Sequence, residues 1–137
     1  MNEDFITFEI AKKLKEKGFN CELPYAMYNE IGQFCLLTTS APYHVCESGY
    51  KYREYYYYND FDKNDFIAPT ISQVLKWLRK EKKVHIGFGY SPRKKWRYVV
   101  MYMDDRFYNK PTLAVDGFLN IEQAALVGIE YVIDNLI

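Results

Sequence analysis

An α+β fold is predicted for this chain: helix, strand pair, helix, β-hairpin, helix, with the helices packed on a mainly antiparallel sheet. Three observations predict it. Apolar residues recur at helical period near the N-terminus, after Thr70 and after Asn120. Between the second and third of these, residues 84–90 and 96–103 alternate at period two around a short polar loop. The chain has 137 residues, which suits one domain, 1–137. A domain of that size buries about two-thirds of its unfolded surface, so its core needs no metal and no disulfide.

The first helix is expected from an Asn2 cap to about Lys17. Ile6, Ile10 and Leu14 form its apolar stripe, with Thr7 and Ala11 alongside. Gly18 fits the position just past the helix end, where left-handed backbone is common. Lys12, Lys13, Lys15 and Lys17 suit the negative end of the helix dipole, and a solvated face explains them. Residues 19–40 read as a strand pair, 25–28 and 34–39, around the turn Asn29-Glu30-Ile31-Gly32-Gln33. Pro24 argues for an edge or strand-start position. Residues 41–69 have no clear period. They carry Pro42, Ser48-Gly49, the run 55–58 of four tyrosines and an acidic turn, with room for a strand around 50–57. A long irregular segment in a small domain is often functional.

Thr70 is placed to cap a second helix, with Gln73 completing a capping box. Ile71, Val74, Leu75 and Leu78 make its apolar stripe, flanked by Trp77. Lys76, Arg79, Lys80 and Lys83 share a different face. After Lys83 the period drops to two, and Ser91-Pro92-Arg93-Lys94-Lys95 separates the hairpin strands. The second of these strands is apolar on both faces, which places it inside a sheet shared with the earlier strands. Gly87 and Gly89 share one face of the first. Glycine weakens a strand, so the pair predicts close approach by a packed helix or a flat ligand. A connector follows, with a short strand at 113–115 and a turn at Asp116-Gly117. Asn120 caps the last helix, with Gln123 at its third position. Ile121, Ala125, Gly128, Ile129, Val132, Ile133 and Leu136 give that helix a wide apolar arc to lay across the sheet.

Composition excludes disorder: 49% of residues are hydrophobic and 18% aromatic. The net charge is zero, yet residues 76–97 hold nine Lys/Arg against one Glu, a local +8 balanced by −8 elsewhere. Such asymmetry points toward an anionic partner. Cys21, Cys35 and Cys46 are odd in number and unpaired in spacing, which predicts a reducing compartment. The N-terminus is acidic where a signal peptide is basic, and no apolar run approaches the ~18 residues of a span. A cytoplasmic protein without a membrane partner is expected.

The chemistry-bearing patterns fail one by one. His44 and Cys46 form a single irregular pair where structural zinc needs two, so no metal is expected. Asp60-Phe61-Asp62 opens like a calcium loop, but Asp65 stands where glycine belongs and Ile71 where glutamate belongs. Neither His44 nor His85 is placed beside a nucleophile. Gly87-Phe88-Gly89 lies in a strand and does not open a helix, so it is no phosphate loop. No enzyme and no cofactor are expected.

Three segments resemble a known group of sequences: ITFEIAKKLKEKGF, APTISQVLKWLRKEKKVHI and IEQAALVGIEYVIDNLI. Together they resemble small proteins encoded by phages and integrated elements of Bacteroides-type bacteria. The match covers about a third of the chain, and 68–86 is its most specific part. The resemblance implies an accessory phage-type protein in a bacterial cytoplasm and carries over no catalytic residue.

The expected function is therefore a non-enzymatic protein-interaction or self-assembly module. Its basis is the 14 tyrosines, a residue enriched in interfaces, together with the edge strands. The alternative is a nucleic-acid-binding accessory protein. It would use the helix face Lys76, Arg79, Lys80 and Lys83 and the loop residues Arg93, Lys94, Lys95 and Arg97. Phe88, Trp96 and Tyr98 would stack on bases if exposed.

Overall fold

The computed structural model describes residues 5–21, 26–36, 44–45, 51–52, 64–108 and 112–137. The chain divides into two compact units, Met1–Thr70 and Ile71–Ile137.

In the first unit, helix α1 (Phe8–Glu16) is followed by strands β1 (Ala26–Tyr28), β2 (Phe34–Leu36), β3 (His44–Val45), β4 (Lys51–Tyr52) and β5 (Phe66–Ile67). The helix starts later than Asn2. Thr7 is the cap, its hydroxyl accepting from the Ile10 amide. The reason is tertiary: Phe5 bridges to Thr70, and the Ile6 amide donates to the Pro69 carbonyl. Those bonds hold residues 5 and 6 extended and exclude them from the helix. The other end follows expectation. Gly18 is left-handed at φ +79, with the Gly18 amide on the Lys15 carbonyl and the Phe19 amide on the Leu14 carbonyl. That pair of bonds is the Schellman arrangement.

Strands β2, β1 and β5 form an antiparallel sheet in that order. The β1–β2 turn uses the expected residues. The Asn29 side chain accepts from the Ile31 and Gln33 amides, and Gly32 takes φ +89 beneath the Phe8 ring. Strand β5 lies inside the segment that shows no period. Two residues are too short to reveal one. Phe5, Phe8, Tyr28, Phe34 and Phe66 form the aromatic part of this core at centroid distances of 5.1–5.5 Å. The Tyr28 hydroxyl is satisfied by the Ile6 carbonyl at 2.7 Å. The expected strand around 50–57 corresponds to β4, paired with β3. Most of 50–57, the tyrosine run and the acidic turn at 60–63 lie outside the described residues.

In the second unit, α2 (Ile71–Glu81) leads into β6 (Val84–Tyr90) and β7 (Trp96–Tyr102). A 3-10 turn (Asp105–Tyr108), β8 (Leu113–Phe118) and α3 (Ile121–Asn135) follow. The sheet order is β6-β7-β8, all antiparallel. The hairpin therefore does not join the earlier strands. Its third strand is β8, which the sequence shows only as a short piece at 113–115. Asp116-Gly117 is not a turn but part of that strand. Gly117 takes φ +105 where the β7–β8 register shifts, so a bulge uses the glycine that a turn would have used.

Both helices lie on one face of this sheet. Val74 and Leu78 of α2, and Ala124, Ala125, Gly128, Ile129, Val132 and Ile133 of α3, are buried. They face Val84, Ile86, Tyr98, Val100 and Tyr102, the alternate positions that are buried on the strands. The Asn120 side chain caps α3 on the Gln123 amide, and the Gln123 side chain accepts from the Leu119 amide. Gly128 is the point of closest approach. A Cβ there would lie 3.0 Å from Tyr98 Cγ and 3.4 Å from Ile86 Cγ2. A helix over Gly87 and Gly89 is thus ruled out within this unit, because these glycines occupy the opposite face. The close-approach glycine is on the helix instead.

Candidate nucleic-acid interface

All eight cations singled out from the sequence belong to the second unit, which holds 11 Lys/Arg against 7 Asp/Glu, a net +4. Lys76 and Lys80 are exposed and Arg79 half-buried on the side of α2 turned away from buried Val74 and Leu78. Lys83 is exposed just beyond the helix. Arg93, Lys94 and Arg97 are exposed and Lys95 is half-buried at the far end of the hairpin. Among the described residues, none of the eight forms an ion pair with a carboxylate. The fold does not gather them into one patch. Seven residues of β6, about 20 Å of extended chain, separate Lys83 from the loop.

Two of these lysines occupy unusual backbone. Among the described residues, the non-glycine positions with positive φ are Lys83 at 56° and Lys94 at 60°. At the hairpin tip the Lys94 amide donates to the Ser91 carbonyl and the Ser91 amide to the Lys95 carbonyl. This is a type I turn closed by a left-handed residue, a position that normally favours glycine. A left-handed L-residue costs about 1–2 kcal/mol. Lysine stands there despite that cost.

The aromatic residues divide differently from expectation. Tyr98 is 2% exposed, beneath Gly128 and beside Phe118. Burial raises its hydroxyl pKa, with a further push from Tyr131. It is core and offers no stacking surface. Phe88 and Trp96 are half-buried on the same face. Tyr90, absent from the sequence-based set, is 57% exposed and meets Trp96 edge-to-face at 5.3 Å. Its strand position reads as a core-facing repeat, so only the end of the sheet, where the helices no longer cover it, distinguishes it. The opposite face carries His85, Gly87, Gly89, Arg97, Val99, Met101, Ala114 and Asp116, with the half-buried His85 imidazole as its one ring. Arg97 lies across Gly89, with Nε 2.9 Å from where a Cβ would stand.

The other end of this sheet is neutralised. Arg106 donates to both Asp104 oxygens and to the Lys82 carbonyl at 2.8 Å, and stacks on Tyr102. Its hydrogen bonds hold the Asp104 carboxyl below the ordinary carboxylate range, and Lys83 adds to the effect. Two buried polar atoms, Ser91 Oγ and His85 Nδ1, have no partner among the described residues.

For metal chemistry, no group of three His, Cys, Asp or Glu occurs among the described residues. Cys35 is buried and Cys21 half-buried, and burial pushes the Cys21 thiol up, away from nucleophilic thiolate. The Cys46 and His44 side chains lie outside the described residues. No helix among the described residues is long and apolar enough to cross a membrane. No family model, curated protein or solved structure matches this chain.

Proposed function

We infer that this chain is a non-enzymatic binding protein whose second unit engages nucleic acid through its basic surface. The observation that carries this reading is the set of seven exposed or half-buried cations without carboxylate partners, Lys76, Arg79, Lys80, Arg93, Lys94, Lys95 and Arg97, whereas Lys83 acts on Asp104. Surface cations without internal partners retain their charge for external phosphates, and binding then releases the counterions those phosphates hold. Tyrosine content alone favours a protein partner. The unpaired charge favours nucleic acid, because interface cores are depleted of lysine. The resemblance to small phage-element proteins supports an accessory role in a bacterial cytoplasm.

A protein-interaction or self-assembly role is the second reading. The exposed apolar residues favour it, with Leu119 at 73% and Met103, Phe107 and Val127 also outward.

Salt dependence separates the two. Fluorescence anisotropy of labelled oligonucleotides at low and moderate salt would show steep loss of affinity for a phosphate-binding surface. The loss should be reduced when Arg93, Lys94 and Lys95 are changed to alanine. No binding at low salt would refute the nucleic-acid reading, and sedimentation of the chain alone and with candidate proteins would then test the second.

A further inference from the structure

We propose that the open end of the β6–β7 hairpin is a single-stranded nucleic-acid site, with Tyr90 stacking on a base and the Arg93-Lys94-Lys95 turn holding the adjoining phosphates. This rests on the nucleic-acid reading above and goes further by naming the strand state and the stacking residue.

The geometry begins with the hairpin ladder. The Ser91 amide bonds to the Lys95 carbonyl and the Met103 amide to the Lys83 carbonyl. Hydrogen-bonded pairs therefore fall on odd-numbered residues, and Tyr90 opposite Trp96 is a non-hydrogen-bonded pair. Side chains approach most closely at such pairs. The Trp96 ring meets the Tyr90 ring edge-on, 5.3 Å between centroids and 61° between planes. That contact braces Tyr90 while leaving it more than half exposed at 57%. The next residues after Tyr90 are the loop, so an exposed ring and three cations sit within six positions of each other.

That combination discriminates between ligands. A duplex hides its base faces in its own stack and offers phosphates, so it would use the cations and leave Tyr90 idle. A single strand offers both phosphates and free base faces, and sequence-tolerant stacking on an exposed ring is how such strands are held. The flat face of the sheet is a poorer platform: its one aromatic ring is the half-buried His85 imidazole, which lies beside Gly87 with its Nδ1 buried, whereas Tyr90 is more than half exposed. The backbone strain points to the same place. Lys94 holds left-handed backbone at the tip, where a residue chosen for stability would be glycine.

The test uses the full chain with a labelled single-stranded oligonucleotide, the duplex of the same length, and heparin as a polyanion without bases. Tyr90→Ala should weaken single-strand binding by about 5- to 100-fold. It should leave duplex and heparin binding unchanged, and Tyr90→Phe should restore single-strand affinity. The triple alanine variant of Arg93, Lys94 and Lys95 should weaken all three ligands and flatten the salt dependence. A second readout needs no Tyr90 variant: the single strand should quench tryptophan emission of the unmodified chain, and Trp96→Phe should abolish the quenching. Unchanged single-strand binding by Tyr90→Ala, or no quenching, would overturn the stacking site while leaving the cationic surface standing. Equal affinity for duplex and single strand would overturn the strand preference. Absence of binding to any oligonucleotide at low salt would remove both this inference and the reading beneath it, in favour of a protein partner.

Discussion

Replacing Lys94 with glycine should make the protein more stable and a weaker binder. Lys94 sits at φ +60 in the hairpin turn, exposed and without an ion pair among the described residues. Relief of the left-handed penalty is worth about 1–2 kcal/mol. Glycine returns about 0.5–1 kcal/mol of that through its larger unfolded-state entropy. The expected net gain is roughly 0.5–1 kcal/mol. Urea unfolding reads it as a higher midpoint with an unchanged slope. The same substitution removes one cation, so the log–log salt slope for a single strand should fall by about 0.7. Lys94→Ala separates the two effects, because it deletes the charge but keeps the strain. It should bind as weakly as the glycine variant without its stability gain. A glycine variant no more stable than wild type would refute the argument that this backbone is strained. Unchanged binding would refute the argument that the strain is retained for charge.

Three further outcomes follow from the second unit. Lys83→Gly, at φ 56 between α2 and β6, should raise the urea midpoint by a similar amount, and by more than any lysine-to-glycine change inside α2, where glycine costs about 1 kcal/mol. Gly128→Ala should lower stability despite alanine's helix propensity. The new Cβ would stand 3.0 Å from the root of the Tyr98 ring, which is buried and cannot retreat. Overpacking of about 1–3 kcal/mol outweighs a propensity gain of about 1, and a rise in the thermal midpoint would contradict this. Asp104→Asn should blunt the acid sensitivity of the fold. The folded-state pKa of Asp104 is depressed by the Arg106 hydrogen bonds, so its contribution is present above the unfolded carboxylate value and lost as pH falls through the lower folded value. Urea midpoints measured across that acid range should fall less for the variant than for wild type.

Much of the candidate surface was legible in the sequence because a solvated helix face and a proline-containing loop are local features. Lys76, Arg79, Lys80, Arg93 and Lys94 could be placed from periodicity and turn chemistry. Tyr90 could not be, since alternation assigns it to the core face and only the end of helix coverage exposes it. Alternation gives Tyr98 a stacking role only if it is exposed, and α3 buries it. The strain at Lys83 and Lys94 has no sequence signal at all, because lysine does not announce left-handed backbone as glycine does.

Local pattern settled the α+β class, the three helices, the Schellman end at Gly18, the Asn120 cap and the β6–β7 hairpin. Each depends on residues within a few positions, whose spacing and hydrogen-bonding groups are written in order along the chain. The choice of sheet partners and faces depended on contacts between distant residues. Pro69 and Thr70 hold residues 5 and 6 extended and move the start of α1 to Phe8. Strand β8 completes the hairpin sheet that the earlier strands were expected to join. Gly128 brings α3 down on Ile86 and Tyr98, leaving Gly87 and Gly89 on the other face. Strand period assigns side chains to two faces without saying which face is covered. Covering a face requires an apolar surface from elsewhere in the chain, and here that surface is supplied by α2 and α3.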